Sequence, residues 1–429
     1  MEKVTVFEGD ELHRDFAPIP QEARCILKGK NTAGELREIY ITDDIFSRHI
    51  MLAGGIGTGK TNALFHFISQ LRTSLEPDDV MIIFDTKGDF RENFYCKGDI
   101  VISNDEFATG PEGLNFWNIF REIEPGMHRD ASIVEISKTL FHDKVEKSSQ
   151  PFFPNAAKDL FSAFLIYGQE TGRLKDNFSL SSFIFSASVN EIHSVLKAQN
   201  LGGMINYIAD PNSAQTQGVL SELQQLAREI FIGNFKRKGT LSMRELVRAK
   251  GGRVIFIEYD LSAGNMLTPI YSLLFDLAIK EALSRKKSAG NVWFIADEFR
   301  LLPHLQHMGD AVNFGRSLGV KFMIGLQNVE QVYDSYGEHS ARSILSGFAT
   351  NIIFRLNDGT SRQYVQSVFG RSRKKDTLSS GIVSRGIIEQ IHDANVVEDW
   401  DITRLIRGDA IIGLDGSEPF IFRFNKFGR

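Results

Sequence analysis

The chain alternates between short, unbroken apolar runs and longer stretches in which apolar residues recur every three or four positions. Unbroken runs of about five residues are typical of strands buried on both faces of a parallel sheet, and the wider spacing is typical of helices. Strands built around such runs are predicted at 47–53, 80–84, 253–257, 292–296, 321–326 and 351–356, some of which also include flanking polar residues. Helical spacing follows the first run at 61–71. The pattern therefore predicts an α/β fold with a mostly parallel central sheet.

The same pattern divides the chain into segments. Residues 1–45 carry short alternating pieces and predict a strand-rich lead-in, while 121–240 carry helical spacing and predict an all-α insertion. The flanking segments, 46–120 and 241–429, are expected to form the two parts of one α/β domain. Within the second part, Thr268 followed by Pro269 predicts the N-cap and first residue of a helix.

A glycine-rich octet lies between the first predicted strand and its helix. Residues 54–61 read Gly-Gly-Ile-Gly-Thr-Gly-Lys-Thr, which fits the phosphate-binding P-loop pattern. Its side chains and backbone N–H groups are expected to surround a triphosphate, and the residues concerned are Gly54, Gly55, Gly57, Thr58, Gly59, Lys60 and Thr61. Lys60 would reach the β- and γ-phosphates, and the Thr61 hydroxyl would hold Mg²⁺. The sequence thus predicts binding of a nucleoside triphosphate, ATP, with Mg²⁺.

Two carboxylates follow the apolar run 292–296. Asp297 is expected to orient the Mg²⁺ shell and Glu298 to polarise an attacking water, as in a Walker B strand. Gln327 follows the next strand, and the carboxyl ends of parallel strands meet at one edge of a sheet. We therefore expect this amide to sense the γ-phosphate or to position the water.

An arginine between these two strands has a different predicted role. Arg316 is placed to reach the nucleotide of a neighbouring subunit and to stabilise charge in the transition state. Arg355 and Arg362 are rival candidates for this role. A surface ion pair is the alternative interpretation for each of the three.

Composition limits the partners of the chain. Its 429 residues are 42% hydrophobic and 24% charged, with a formal net charge of −5, so contact with DNA needs local basic patches. Candidate patches are 236–238, 285–287 and 371–375, of which the last is expected in a loop. No apolar run approaches the roughly 20 residues of a membrane-spanning helix, and we expect a cytoplasmic location.

The order of these motifs resembles that of type IV secretion coupling proteins, the TraD/TrwB-like ATPases of bacterial conjugation. The resemblance covers residue 45 to the end and depends on the P-loop, Asp-Thr-Lys-Gly-Asp at 85–89, a helical insertion, Asp297-Glu298, Gly315-Arg316 and Gly325-Leu326-Gln327. It implies a RecA-like nucleotide domain, an all-α domain and homo-hexamers around a DNA passage. It places Arg316 at the trans-acting arginine and Gln327 at the sensor glutamine. Family members typically begin with transmembrane helices, so this chain is expected to be a soluble form or to work through a separate membrane-anchor protein at the inner face of the membrane.

The resemblance implies an ATPase that recruits and pumps DNA, with a relaxase or another secretion substrate and the type IV secretion machinery as partners. Two alternatives remain open from the residues. A HerA/FtsK-like motor in repair, defence or segregation would share the same catalytic groups. A non-motor adaptor, gated by nucleotide, would recruit relaxase or effector proteins through the helical domain.

Overall fold

The computed structural model of the chain describes residues 3–16, 19–105, 116–284, 290–379 and 387–428. The strands are β1 Lys3–Glu8, β2 Cys25–Lys30, β3 Leu36–Ile41, β4 Ile50–Ala53, β5 Val80–Asp85, β6 Ile100–Ile102, β7 Arg253–Glu258, β8 Val292–Ala296, β9 Val320–Leu326, β10 Thr350–Ile353, β11 Arg371–Ser379, β12 Ile387–Asn395, β13 Asp409–Gly413 and β14 Phe420–Phe424. The helices are α1 Asp43–Ser47, α2 Lys60–Thr73, α3 Asp89–Phe94, α4 Arg129–Glu146, α5 Phe152–Thr171, α6 Asn177–Ser186, α7 Val189–Ala198, α8 Ala214–Ile230, α9 Met243–Ala249, α10 Gly264–Ala282, α11 Met308–Phe314, α12 Glu330–Tyr336, α13 Glu338–Ser346, α14 Gly359–Phe369 and α15 Asp399–Thr403.

These elements fall into two compact units. The first unit comprises residues 1–81, 289–300 and 309–429, and the second comprises 82–288 and 301–308. The first unit therefore draws on both ends of the chain, whereas most of the second is one continuous stretch. The predicted segment boundaries at 45, 120 and 240 remain predictions.

In the first unit a sheet has the strand order β3-β2-β14-β13-β10-β4-β9-β8. Its strands β10, β4, β9 and β8 are parallel to their neighbours within this group, and Ala53 lies opposite Leu326 in the register. Every residue of β4, β8 and β9 is buried, as their unbroken apolar character predicts. The carboxyl ends of these strands consequently meet at one edge, and the α/β fold predicted from the sequence is confirmed.

Antiparallel strands widen this sheet on the other side. β13 pairs with β10, and the hairpin of β2 and β3 joins through β14. A separate antiparallel sheet has the order β1-β11-β12. It corrects one prediction, because the basic segment 371–375 forms part of β11 and not a loop. Backbone pairing with β1 and β12 on its two edges decides its conformation, although its side chains are polar.

The second unit contains the parallel pair β6–β7 and most of the helices. Between residues 119 and 249 its described residues form helices and no strand. Helix α5 packs against α4 and α8, and α10 packs against α4, α8 and α9. The apolar stripe of α5 is fully buried, and it consists of Leu160, Phe161, Phe164 and Leu165.

Two predicted boundaries were wrong for local reasons. Helix α10 begins at Gly264 and carries Pro269 within it, because the Asp260 carboxylate accepts the N–H groups of Ser262 and Ala263 and starts the turn earlier. The strand expected from residue 47 begins at Ile50, after the short helix α1, whose N-cap is Thr42. Within the part of the chain that the structure covers, no helix has the length and apolar character needed to cross a membrane.

Candidate nucleotide-binding site

The glycine-rich octet forms the turn between β4 and α2 in the first unit. Backbone bonds anchor its start, since Gly54 N–H donates to Leu326 O at 3.0 Å and Gly55 N–H donates to Arg355 O at 2.9 Å. A Cβ atom on Gly54 would lie 2.6 Å from Phe354 Cβ, which leaves no room for a larger residue. Gly59 has φ of +130°, a conformation that favours glycine. Glycine is therefore needed at position 54 because of the nearby Phe354, and at position 59 because of the backbone conformation.

The side chains of Lys60 and Thr58 donate hydrogen bonds to backbone carbonyl oxygens at the start of the loop. Lys60 is the first residue of α2 and is almost fully buried. Its Nζ donates to Gly54 O at 2.5 Å and to Gly55 O at 3.2 Å. Thr58 Oγ1 donates to Gly55 O at 2.8 Å. The lysine ammonium therefore lies within the curve of the loop, next to the backbone that the P-loop pattern assigns to phosphate.

The first carboxylate, Asp297, meets the P-loop directly. It follows the last residue of β8, and its Oδ2 accepts a hydrogen bond from Thr61 Oγ1 at 2.6 Å. These two residues are 236 positions apart in the chain. A hydroxyl and a carboxylate at this separation present hard oxygen donors of the kind that Mg²⁺ prefers. The chemistry of the donor set fits the ion predicted from the sequence.

The second carboxylate, Glu298, is held by two groups. Gln327 Nε2 donates to Glu298 Oε2 at 2.5 Å, and Arg300 Nε donates to Glu298 Oε1 at 3.0 Å. The Glu298 side chain is 16% exposed, so it remains within reach of water. Arg300 was missed in the sequence, although its position two residues after Glu298 was an available signal.

Gly325 sets the distance between the strand ends. A Cβ atom at this position would lie 2.1 Å from Asp297 O on the neighbouring strand. Glycine therefore lets β9 approach the end of β8 closely enough for the bond between Gln327 and Glu298. The structure brings together Lys60, Thr61, Asp297, Glu298 and Gln327, as the sequence predicts.

Arg316 stands apart from this cluster in the described part of the chain. Its side chain is half exposed and pairs with Asp44 Oδ1 at 2.6 Å. The rival Arg362 pairs with Asp399 at 2.6 Å. The Arg355 side chain is exposed, next to the Gly55 contact described above. The partner of Arg316 was missed in the sequence because α1, which carries Asp44, has no apolar periodicity to mark it.

The basic patches differ in how far their charge is already paired. In 371–375, Arg373 lies 3.4 Å from Glu8, Lys374 lies 3.4 Å from Glu398 and Lys375 lies 2.6 Å from Glu389. In 236–238, Arg237 and Lys238 lie over the rings of Phe116 and Phe178. The patch 285–287 lies outside the described residues. The ion pairs weaken the electrostatic attraction that 371–375 offers to phosphate, whereas the aromatic contacts of 236–238 leave its positive charge in place.

Comparison with known proteins identifies the family. The sequence profile described as the type IV secretion-system coupling protein DNA-binding domain matches residues 35–417. The chain belongs to this family. Coupling protein TraD of Escherichia coli (strain K12) is 21% identical over 378 residues, covering 86% of this chain and 50% of TraD. VirD4 of Bartonella quintana (strain Toulouse) is 24% identical over 237 residues, covering 51% of this chain and 36% of VirD4.

Solved structures share the fold of the coupling-protein family. Plasmid coupling protein TrwB in complex with the ATP analogue ADPNP matches with a TM-score of 0.74 and 19% identity, over 98% of this chain and 94% of TrwB. TrwB in complex with ADP and Mg²⁺ matches with a TM-score of 0.73. This chain spans half the length, or less, of the curated relatives TraD and VirD4.

Proposed function

We propose that this chain is an ATP-hydrolysing coupling ATPase that recruits DNA or a nucleoprotein substrate and drives it into a type IV secretion or conjugation machinery. The observation that carries the proposal is that Lys60, Thr61, Asp297, Glu298 and Gln327 lie at one sheet edge. Thr61 bonds Asp297 there, and Gln327 bonds Glu298. Membership of the coupling-protein family supports the DNA-transfer role. The nucleotide and Mg²⁺ complexes of TrwB support the choice of ligand.

The roles of the residues follow from their contacts. Lys60 and the backbone N–H groups of 54–59 bind the phosphates. Thr61 and Asp297 would hold Mg²⁺, which would supply charge neutralisation at the phosphates. Glu298 accepts the proton of the attacking water, and Gln327 fixes the orientation of that carboxylate. Arg300, on the other oxygen of Glu298, is a positioning residue.

The assembly belongs to the same proposal. Arg316 is half exposed, and a residue that completes a neighbour's site in a homo-hexamer must be accessible from outside its own chain. In this arrangement Arg316 exchanges Asp44 for the γ-phosphate of the next subunit. Relaxase or another secretion substrate, and a separate membrane-anchor protein, are the proposed protein partners at the inner face of the membrane.

The test is ATP turnover with and without DNA, measured beside the mass of the assembly. We expect rings whose turnover rises with DNA and is abolished in both Lys60→Ala and Glu298→Gln. Lys60→Ala should also lose nucleotide affinity, whereas Glu298→Gln should retain it, because only the lysine contacts phosphate. Turnover that ignores DNA, in a chain that stays monomeric with nucleotide, would contradict the motor and favour the adaptor. A DNA-stimulated ring that does not bind relaxase would favour the HerA/FtsK-like motor.

A further inference from the structure

Two histidines and an aspartate meet in the second unit. His142 and Asp143 lie near the end of α4, and His304 lies in the short segment 301–308. The two imidazole rings stack with centroids 4.1 Å apart. Asp143 Oδ1 lies 3.5 Å from His142 Nδ1 and 3.5 Å from His304 Nε2. Each residue therefore offers one donor atom, and the three atoms lie within 4.8 Å of one another.

The separation of the donor atoms indicates which ion fits. Zinc binds imidazole nitrogen and carboxylate oxygen at about 2.0–2.1 Å in a tetrahedron, which spaces neighbouring donors about 3.3 Å apart. The two separations of 3.5 Å are close to that edge, and they exceed the usual N–H···O hydrogen-bond distance of about 2.9–3.0 Å. Two imidazoles with one carboxylate suit zinc and its neighbours better than Mg²⁺ or Ca²⁺, which prefer oxygen.

The backbone around His304 is held in place for this arrangement. His304 has φ of +57°, in the left-handed region that costs energy for a residue with a side chain. Ser272 Oγ donates to Pro303 O at 3.0 Å, and Gln306 Nε2 donates to Thr139 Oγ1 at 2.6 Å. These bonds fix the segment to α10 and α4 on both sides of the histidine. The backbone that carries His304 is thus fixed by contacts that do not involve the three donor atoms.

Access also suits a metal ion. Lys147 Nζ lies 2.6 Å from Asp143 Oδ2 and leaves Oδ1 to face the two imidazoles. The three side chains are between 29% and 41% exposed, so a water can complete the coordination.

We propose that His142, Asp143 and His304 bind one divalent transition-metal ion of the zinc class, with water as the fourth ligand. The ion ties the segment 301–308 to α4 and stabilises the second unit. Lys147 remains on the second oxygen of Asp143 and orients the carboxylate.

A neighbouring cluster in the same unit provides a matched control. Glu135, Asp276 and His307 also bring three candidate ligand atoms within 4.8 Å of one another. There, however, Lys280 Nζ and Arg244 Nη2 lie 2.5 Å and 3.0 Å from Glu135 Oε2. Two cations therefore share Glu135, against the single Lys147 at Asp143, and His307 Nδ1 already lies at hydrogen-bond distance, 2.9 Å, from Asp276 Oδ2. The stronger positive charge repels a metal ion, so a variant of His307 should leave zinc binding unchanged.

The experiment titrates ZnCl₂ into the full chain, untagged and stripped with a chelator, by calorimetry in buffer that contains Mg²⁺. We expect one zinc per chain at micromolar affinity or better, and visible absorption bands of tetrahedral Co²⁺ when cobalt replaces zinc. His304→Asn keeps a residue that tolerates the left-handed backbone and removes the imidazole. His304→Asn and His142→Ala should each weaken zinc at least about tenfold, while His307→Ala and Asp297→Asn should not.

Thermal unfolding separates loss of the site from loss of the fold. Zinc at a hundred times its Kd should shift the unfolding equilibrium of the wild-type chain about a hundredfold toward the folded state, and should leave His304→Asn unshifted. The proposal is overturned if the stripped wild-type chain takes up no zinc at about 100 µM. It is also overturned if His142→Ala and His304→Asn, folded by circular dichroism, bind zinc as the wild type does.

Discussion

Replacing Gly325 by alanine tests how closely the ends of β8 and β9 must approach. The added Cβ atom would lie 2.1 Å from Asp297 O and 2.8 Å from Asp297 C, whereas ordinary contact begins at 3.4 Å. The backbone must therefore shift by about 1 Å, and overpacking of this kind costs about 1–3 kcal/mol of stability. Urea denaturation of Gly325→Ala should show that loss as a lower midpoint with an unchanged slope.

The same shift should damage turnover more than binding. A misplacement of about 1 Å in a catalytic group costs on the order of a hundredfold in rate, and the shifted atoms belong to the strands that carry Asp297 and Gln327. We expect kcat for ATP to fall by about that factor, measured by phosphate release. Nucleotide affinity should fall by a smaller factor than kcat, because Lys60 lies on another strand end and meets β9 indirectly, through the bond from Gly54 N–H to Leu326 O.

Gly359→Ala is the matched control for this substitution. Gly359 is the first residue of α14, and a Cβ atom there would meet nothing within 4 Å. The free energy of unfolding of Gly359→Ala should differ from that of the wild type by no more than about 0.5 kcal/mol, and its ATP turnover should equal that of the wild type. If Gly325→Ala proves as stable and as active as Gly359→Ala, the reasoning that steric approach at this glycine sets the site geometry is refuted.

Three further predictions concern single side chains. Gln327→Ala removes the amide bound to Glu298 Oε2 and should lower kcat by about 10- to 100-fold with unchanged nucleotide affinity, seen by comparing phosphate release with a fluorescent-nucleotide titration. Arg316→Ala should lower kcat on the order of a thousandfold, whereas Asp44→Ala, which removes the partner of Arg316, should not. Equal activity of the two variants would mean that Arg316 forms a surface ion pair and has no catalytic role. Burial lowers the pKa of His49 from 6.5 to about 4, because the folded state favours the neutral imidazole. The neutral ring contributes its full stability above pH 6.5, and this stability is lost as the pH falls toward 4. The loss is about 3 kcal/mol by urea denaturation, and His49→Asn, which tolerates the φ of +60° at this position, should flatten this dependence.

The elements next to the nucleotide residues could be predicted because their sequence signals are local. A short apolar run followed by turn or polar residues favours a strand buried on both faces over a helix, so β4, β8 and β9 were recognisable without knowledge of their neighbours. The P-loop pattern is equally local, since its glycines and its lysine act within eight residues. Parallel strands with residues at their carboxyl ends then brought Asp297, Glu298 and Gln327 to one edge, in agreement with the structure.

Two predictions failed where a hydrogen-bonding partner decides the conformation, a distant partner in the first case and a local one in the second. The segment 371–375 has the polar composition of a loop, yet its backbone pairs with β1 from the start of the chain and with β12 from beyond residue 386. Helix α10 begins before Thr268 because Asp260 caps the turn ahead of it, and a proline that usually opens helices lies inside this one. In both cases hydrogen-bonding partners outweighed the local preference of the residues.

By itself the sequence determined the α/β class, the P-loop and the identity of the acidic and amide groups, because each depends on residues close together in the chain. Only the tertiary structure decided which oxygen of Asp297 meets Thr61, how Glu298 is shared between Gln327 and Arg300, and that His304 lies beside His142. These contacts join residues far apart in sequence or fix a single side-chain orientation. Their geometry depends on strand register, on steric approach at Gly325 and on the path of the backbone, none of which has a local signature.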